Sequence, residues 1–330
     1  MFLFDKNDLS HLSLGANLLG SGGGGSTEIL NSLVYQQLEQ QGPVPIISLK
    51  ELQKDSLIIP LAFVGAPSET KKMKPNNQPF HMILNHIQKD FINRSIVLMP
   101  AEIGGCNALT PFVIAGERKL KILDADLIGR AFPKIHMCKP AVLGIVPRLA
   151  YIASQKGQVI KLEIHSISEL EEKIRKITVE FNSSSVVATF LMNPEEARRA
   201  IIPASLSHVI QLGKDAPSMK HHQTGIITQH NNLVDQGFLK GSVTILTKAG
   251  TYKIFFQNEY LLMLKNNKKQ VESPSIIHLI NEITGHPISS ENLEKGLRVK
   301  IISLPAPPFW RNAFAKTCVS GNVFAILLSS

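Results

Sequence analysis

The spacing of apolar residues changes character once along this chain, and that change restricts it to a fold of two parts. As far as about Lys214, short aliphatic runs alternate with segments of helical period. The runs Val44–Leu49, Leu57–Val64, Ser95–Met99, Leu120–Leu123, Lys161–Ile164 and Ser185–Leu191 predict strands. The segments Asp8–Gly20, Ser26–Gln40, Phe80–Phe91, Asn107–Arg118, Ser168–Ile177 and Pro194–Leu212 predict helices. Nearly continuous apolar strands interleaved with helices imply an α/β domain with a mostly parallel, covered sheet. After Lys214 the period becomes two, in Gly225–Thr228, Gly241–Thr247, Thr251–Gln257, Tyr260–Leu264 and Val299–Leu304, with a helix or turn expected over Ser275–Asn281. This predicts a smaller β-rich domain. The expected division is 1–214 and 215–330, with an alternative near His165.

Bulk properties exclude several classes. The chain has 330 residues, 44% hydrophobic and 18% charged, a globular and not a disordered balance. Three unpatterned cysteines argue against a disulfide scaffold. No apolar run is long enough to span a bilayer and the first residues do not read as a signal peptide, so a cytoplasmic location is expected. The net charge is +9, but the basic residues are dispersed. Lys71, Lys72 and Lys74 read as a solvated loop and Lys265, Lys268 and Lys269 as a hairpin tip, with no interleaved aromatics to stack bases. The expected partner is a small-molecule substrate. Neither nucleic acid nor a membrane is expected, assembly into a homo-oligomer is left open, and no cofactor is specified.

Three segments carry the residue types of a site. The first is Gly20-Ser-Gly-Gly-Gly-Gly25. Its Gly-x-Gly-x-x-Gly spacing matches a dinucleotide fingerprint, but it follows a helix where that fingerprint follows a strand, and no acidic ribose ligand ends a later strand. What remains is a loop whose backbone, at Gly22, Gly23, Gly24 and Gly25, permits close approach of a ligand before a helix N-terminus, an expected cradle for an anion. The second is Glu102-Ile-Gly-Gly-Cys-Asn107, between a strand and a helix. There Gly104 and Gly105 permit unusual backbone, and Asn107 either caps a helix or holds a substrate amide. The third is Asp124-Ala-Asp-Leu-Ile-Gly-Arg130. Asp124 and Asp126 offer a general base with Arg130 as charge partner, or with His136 the donors for a divalent metal. An Asx-turn with a salt bridge is the structural alternative. His221-His222 reads as a solvated pair, and Cys106 as a small buried hydrophobe.

These motifs, in this order, resemble the S-methyl thiohydantoin desulfurase family. The resemblance extends through Phe256-Gln-Asn-Glu-Tyr260, Gly285-His-Pro-Ile288, Gly296-Leu-Arg-Val299 and Leu304-Pro-Ala-Pro-Pro-Phe-Trp310. It implies hydrolytic chemistry on a five-membered thiohydantoin or hydantoin-like ring: water attacks the carbon bearing sulfur and a thiol departs. Asp124 or Asp126 is then the expected base, Arg130 the charge stabiliser, Glu102 and Asn107 the orienting groups, and Glu259 a substrate-binding residue. Where the family tends to carry Pro-Asp-Leu-Ile, this chain has Pro274-Ser-Ile-Ile277, one carboxylate fewer. A non-catalytic protein that holds a small anionic metabolite is the competing reading.

Overall fold

A computed structural model of the protein describes residues 1–65, 76–235 and 238–320. The lysine-rich segment at 71–74 lies outside the described residues. Two eight-stranded sheets dominate. The first contains β1 (Phe2–Phe4), β2 (Val44–Ile47), β3 (Ser56–Gly65), β4 (Ser95–Pro100), β5 (Lys121–Leu123), β7 (Leu149–Ser154), β8 (Val159–Glu163) and β9 (Ser184–Thr189). Their order is β1-β2-β5-β4-β3-β9-β7-β8. A two-stranded ribbon pairs β6 (Ala125–Asp126) with β10 (Ile202–Pro203).

The first sheet is mixed, not mostly parallel. Only β2–β5, β4–β5 and β3–β4 are parallel. The pairs β1–β2, β3–β9, β7–β9 and β7–β8 are antiparallel. The strand Leu149–Ser154, absent from the expected elements, supplies the reason. Only a tight turn separates it from β8, and so short a connection can join antiparallel strands alone.

Helices cover both faces. Lys6–Leu19 is capped by Asp5, whose carboxylate accepts from Asn7 and Asp8 N–H, so the helix begins two residues ahead of the expected Asp8. The helix expected over Pro194–Leu212 is two helices, Pro194–Ala200 and Ser205–Asp215. Pro203, paired in β10, interrupts it because proline cannot donate within a helix. The helix expected over Asn107–Arg118 reduces to a 3₁₀ turn, Gly105–Leu109, and one α-turn, Phe112–Ala115.

The second sheet is antiparallel throughout. In sequence its strands are β11 (Gln223–Asp235), β12 (Phe238–Thr247), β13 (Gly250–Gln257), β14 (Glu259–Lys265), β15 (Lys268–Glu272), β16 (Ile276–Asn281), β17 (Pro287–Ile288) and β18 (Arg298–Leu304). They lie in the order β15-β14-β13-β12-β11-β18-β16-β17. Asn266 and Asn267 both have positive φ and form the expected hairpin tip. The helix or turn expected over Ser275–Asn281 is instead β16. Ile277 and Leu279 face the second sheet's own core while Ile276 and Ile280 join the core beneath the first sheet. A strand buried on both faces has no alternating pattern to read. Phe255, Leu261 and Leu262 likewise enter the core on the first sheet's other face, with Trp310 of the C-terminal tail. Among the described residues no helix is long and apolar enough to cross a membrane.

Candidate active site

The parallel strands β4 and β5 deliver two loops to one place, the position at strand carboxyl ends where α/β proteins assemble sites. Ala101–Gly104 leaves β4, and Leu127–Pro133 follows β6. The glycine loop after Leu19 and the Asn258–Glu259 corner of the second sheet close the space. The result is a cavity of about 260 Å³, with Gly23, Gly24, Gly25, Glu102, Asn107 and Glu259 in its wall. Most of the remaining wall is apolar, including Phe63, Ile128, Phe132, Ile174, Val187 and Phe190.

Glu102 is 9% exposed and fully fixed. One carboxylate oxygen accepts from Asn107 Nδ2 at 3.0 Å, the other from Phe132 N–H at 3.0 Å. Asn107 Oδ1 accepts from Phe63 N–H at 2.7 Å, which sets the orientation of the amide and leaves its nitrogen for Glu102. Asn107 is therefore not a helix cap; it aims Glu102 and itself stands in the cavity wall. Burial pushes the Glu102 carboxyl up to about 7, against the pull of these two hydrogen bonds. One lone pair on each oxygen is committed to a fixed donor, so a proton on Glu102 must occupy a remaining lone pair.

Glu259 is 2% exposed and enters from β14. Burial, then the negative charge of Glu102, raises it to about 8; backbone N–H groups and Arg130 act in the opposite direction. Its Oε2 is buried without a partner among the described residues. Arg130 is fully buried and is the cation felt by both carboxyls. Its guanidinium donates to the carbonyls of Ala131, Pro274 and Ser275 and lies 4.5 Å from the Phe132 ring centroid. Ser275, where the family pattern has a carboxylate, serves Arg130 through its main chain. Two carboxyls with one guanidinium favour a single proton held between the pair near neutrality.

The aspartates do other work. Asp126 Oδ2 accepts from the N–H groups of Ile103, Ile128 and Gly129 at 3.0, 3.0 and 2.7 Å. It braces the Glu102 turn against its own turn and is wholly buried outside the cavity wall. Burial, and not Asp124, raises it to about 6. Asp124 bonds the backbone N–H and hydroxyl of Ser207 at the start of the helix Ser205–Asp215, away from the cavity. The Asx-turn alternative thus describes Asp126, and neither aspartate lines the cavity. His136 pairs with Glu171 at 3.4 Å. Among the described residues no three His, Cys, Asp or Glu side chains cluster to hold a metal.

The glycine loop packs closely against protein while Gly23, Gly24 and Gly25 remain in the cavity wall. A Cβ on Gly23 would collide with the Glu259 carboxylate, and one on Gly22, at φ +88°, with the Tyr260 ring. Ser21 locks the second sheet beside it: its hydroxyl donates to the Ile277 or Tyr260 carbonyl and its own carbonyl accepts from Tyr260 N–H. Gly104 and Gly105 pack against Ala131 and Gly24. The first N–H groups of the helix Glu28–Gln41 are taken by Ser26 and Thr27, and that of Thr27 by Asn17, so the helix start itself is already partnered by the chain. Burial pushes the Cys106 thiol up to about 12, which keeps it protonated.

Sequence reasoning missed the third side of the cavity, from β9 and the helix Ile167–Glu180: Val187, Thr189, Phe190 and Arg175. Arg175 is held by Glu171 at 2.8 Å and by the Phe238 ring. Nothing in the local pattern of β9 marks it as a site wall.

The two buried glutamates predict a pH-dependent stability. Each is raised from 4.5, so the native state holds more protons than the unfolded chain up to about pH 8, and stability falls as pH rises. His278, lowered to about 4 by burial, acts in the opposite sense but only below about its normal 6.5. Asp126 is ionised in both states above about 6. From about pH 6.5 to 8 the slope therefore belongs to Glu102 and Glu259, approaching about 1.4 kcal/mol per pH unit for each carboxyl still protonated in the native state. Urea unfolding across that window should show the decline. A flat profile would contradict the buried, protonated pair.

Comparison with known proteins agrees with this layout. A family model described as S-Me-THD-like, N-terminal domain, matches residues 7–163, and one described as S-Me-THD-like, C-terminal domain, matches residues 165–328. No curated protein matches the chain. A crystal structure of a protein from Chromobacterium violaceum, a structural genomics target, superposes with a TM-score of 0.82 at 20% identity, covering 99% of this chain and 97% of that one. The family models meet near residue 164, whereas β9 at Ser184–Thr189 still pairs in the first sheet. Segments of both family domains therefore wall the cavity.

Proposed function

Because the chain belongs to the S-methyl thiohydantoin desulfurase (S-Me-THD-like) family in both of its halves, we propose that it hydrolyses the carbon–sulfur bond of an S-methyl thiohydantoin or a closely related five-membered ring. The observation that carries this reading is the pair of buried glutamates in one small cavity, raised to about 7 and about 8. A cavity of about 260 Å³ suits a single substituted ring. In the reaction, water adds to the ring carbon that bears sulfur and loses a proton to a base. The ring nitrogen takes up a proton as the C=N bond becomes single. The base, having passed its first proton to the ring nitrogen, takes the hydroxyl proton as the tetrahedral carbon collapses to a carbonyl; the C–S bond breaks, and methanethiol leaves with a proton from an acid. The products are the hydantoin and the thiol.

The two environments divide the roles. Glu102, with the lower pKa and hydrogen bonds that favour its ionised form, is the base; Glu259, with the higher pKa, is the acid. Arg130 holds the charge of whichever carboxyl is ionised. Turnover then requires Glu102 ionised and Glu259 protonated, so the rate should peak between about pH 7 and 8, rising through the first pKa and falling through the second. The test is methanethiol release from an S-methyl thiohydantoin across this range. Glu259→Gln should lower the rate and abolish the alkaline fall. Melting shifted by the ring without any thiol released would instead leave a metabolite-binding protein.

A further inference from the structure

Thr189, in the polar wall of the cavity, is used neither by the fold nor by the proposed acid–base pair. Thr189 ends β9, and its hydroxyl is buried with no hydrogen-bond partner among the described residues. Side chains alternate along a strand, so Thr189 projects to the same sheet face as Val187, and both line the cavity. Thr189 therefore stands in the cavity wall with a hydroxyl that the described residues leave without a partner. The next residue carries a second signal. Phe190 has φ +53°, a left-handed backbone unfavourable for a bulky side chain, and it too is buried in the cavity wall. Strain at a non-glycine residue beside an unsatisfied hydroxyl is characteristic of a position held for binding rather than for folding.

In the wall of the same cavity, Glu259 Oε2 is likewise buried and unpartnered among the described residues. Two unpartnered oxygens in one wall, a hydroxyl and a carboxyl oxygen, call for a ligand with more than one polar edge. An amide-type ring meets that demand, with C=O and N–H at its edge; a purely apolar ring of the same size does not.

We propose that Thr189 is a positioning residue that donates its hydroxyl hydrogen to the ring carbonyl of the substrate, so that the cavity selects cyclic amides and imidates over apolar rings. The assignment rests on the ring chemistry proposed above. It assigns Thr189 no part in proton transfer.

The experiment compares Thr189→Val, which keeps shape and removes the hydroxyl, with Thr189→Ser, which keeps the hydroxyl. Hydantoin binding is read by calorimetry, turnover of an S-methyl thiohydantoin by thiol release, and folding by thermal melting. Thr189→Val should weaken hydantoin binding and raise KM by about tenfold, the worth of one neutral hydrogen bond. Its kcat should change little, and its melting temperature should hold or rise, because a buried unpaired hydroxyl is removed. Thr189→Ser should bind within about twofold of the wild type. Equal binding by wild type and Thr189→Val, with wild-type turnover intact, overturns this assignment alone. A lowered melting temperature in Thr189→Val with no recovery in Thr189→Ser overturns it as well, by showing a packing role. A wild type that holds neither ring removes the proposed function and this assignment together.

Discussion

Replacing Glu102 with glutamine should lower thiol release by about 10²–10⁴-fold, the usual loss when a general base is removed. The substitution also has a structural cost that can be separated from the chemical one. Both oxygens of Glu102 accept hydrogen bonds, from Asn107 Nδ2 and from Phe132 N–H. A glutamine amide can satisfy one and must turn its own NH₂ group toward the other. The Asn107 amide cannot flip in response, because its oxygen is held by Phe63 N–H. Glu102→Gln should therefore also lose about 1–3 kcal/mol of stability. Combining it with Asn107→Asp restores an acceptor opposite the new NH₂ group and keeps one for Phe63. The double variant should regain most of the lost stability in urea unfolding without regaining turnover. Recovery of both together would mean that Glu102 acts only through the fold.

Arg130→Met should be the most destabilising single change in the site, at about 3–5 kcal/mol, the cost of removing one partner from a buried charge cluster. The guanidinium is fully buried and touches both halves of the chain: Ala131 in its own loop, and the carbonyls of Pro274 and Ser275 ahead of β16. It is also the cation that keeps two buried carboxyls tolerable. Burial lowers its own pKa to about 10, with Glu259 and Glu102 opposing that fall. The destabilisation should therefore depend on pH in a particular direction. Near pH 5.5 both glutamates are protonated in the native state, and only the hydrogen bonds and packing are lost. Near pH 8.5 at least one carboxylate is left without a counter-charge, and the loss is larger. Urea unfolding of wild type and variant at the two pH values measures the difference. An equal loss at both would show that Arg130 ties the carbonyls together and does not neutralise the glutamates.

How much of this site the sequence carried differs from residue to residue. Glu102 and Asn107 were legible because glycines after a buried strand signal a loop at a strand end. Glu259 came only through family resemblance; locally it is one acid near the corner of two antiparallel strands. The two aspartates misled for a physical reason. A carboxylate two residues from another, beside an arginine, reads the same whether it faces a ligand or a ring of backbone N–H groups. At Asp126 the N–H groups of Ile103, Ile128 and Gly129 take it, and at Asp124 the start of a helix does. The four glycines likewise read as a ligand cradle, whereas side chains there would meet protein: Tyr260 at Gly22, Glu259 at Gly23, Gly104 and Ala131 at Gly24, and Cys106 at Gly25.

The sequence by itself determined the local elements and their two textures: covered strands with helices first, antiparallel strands after, and a hairpin at Asn266–Asn267. These follow from periodicity and turn chemistry, which act over a few residues. Only the tertiary structure decided that the first sheet is mixed, that Ile276–Asn281 is a strand buried on both faces, and that Glu102, Thr189 and Glu259 line one cavity, with the buried Arg130 outside its wall. Burial and proximity between distant segments set the proton affinity of a carboxyl, and neither is encoded in its neighbours along the chain.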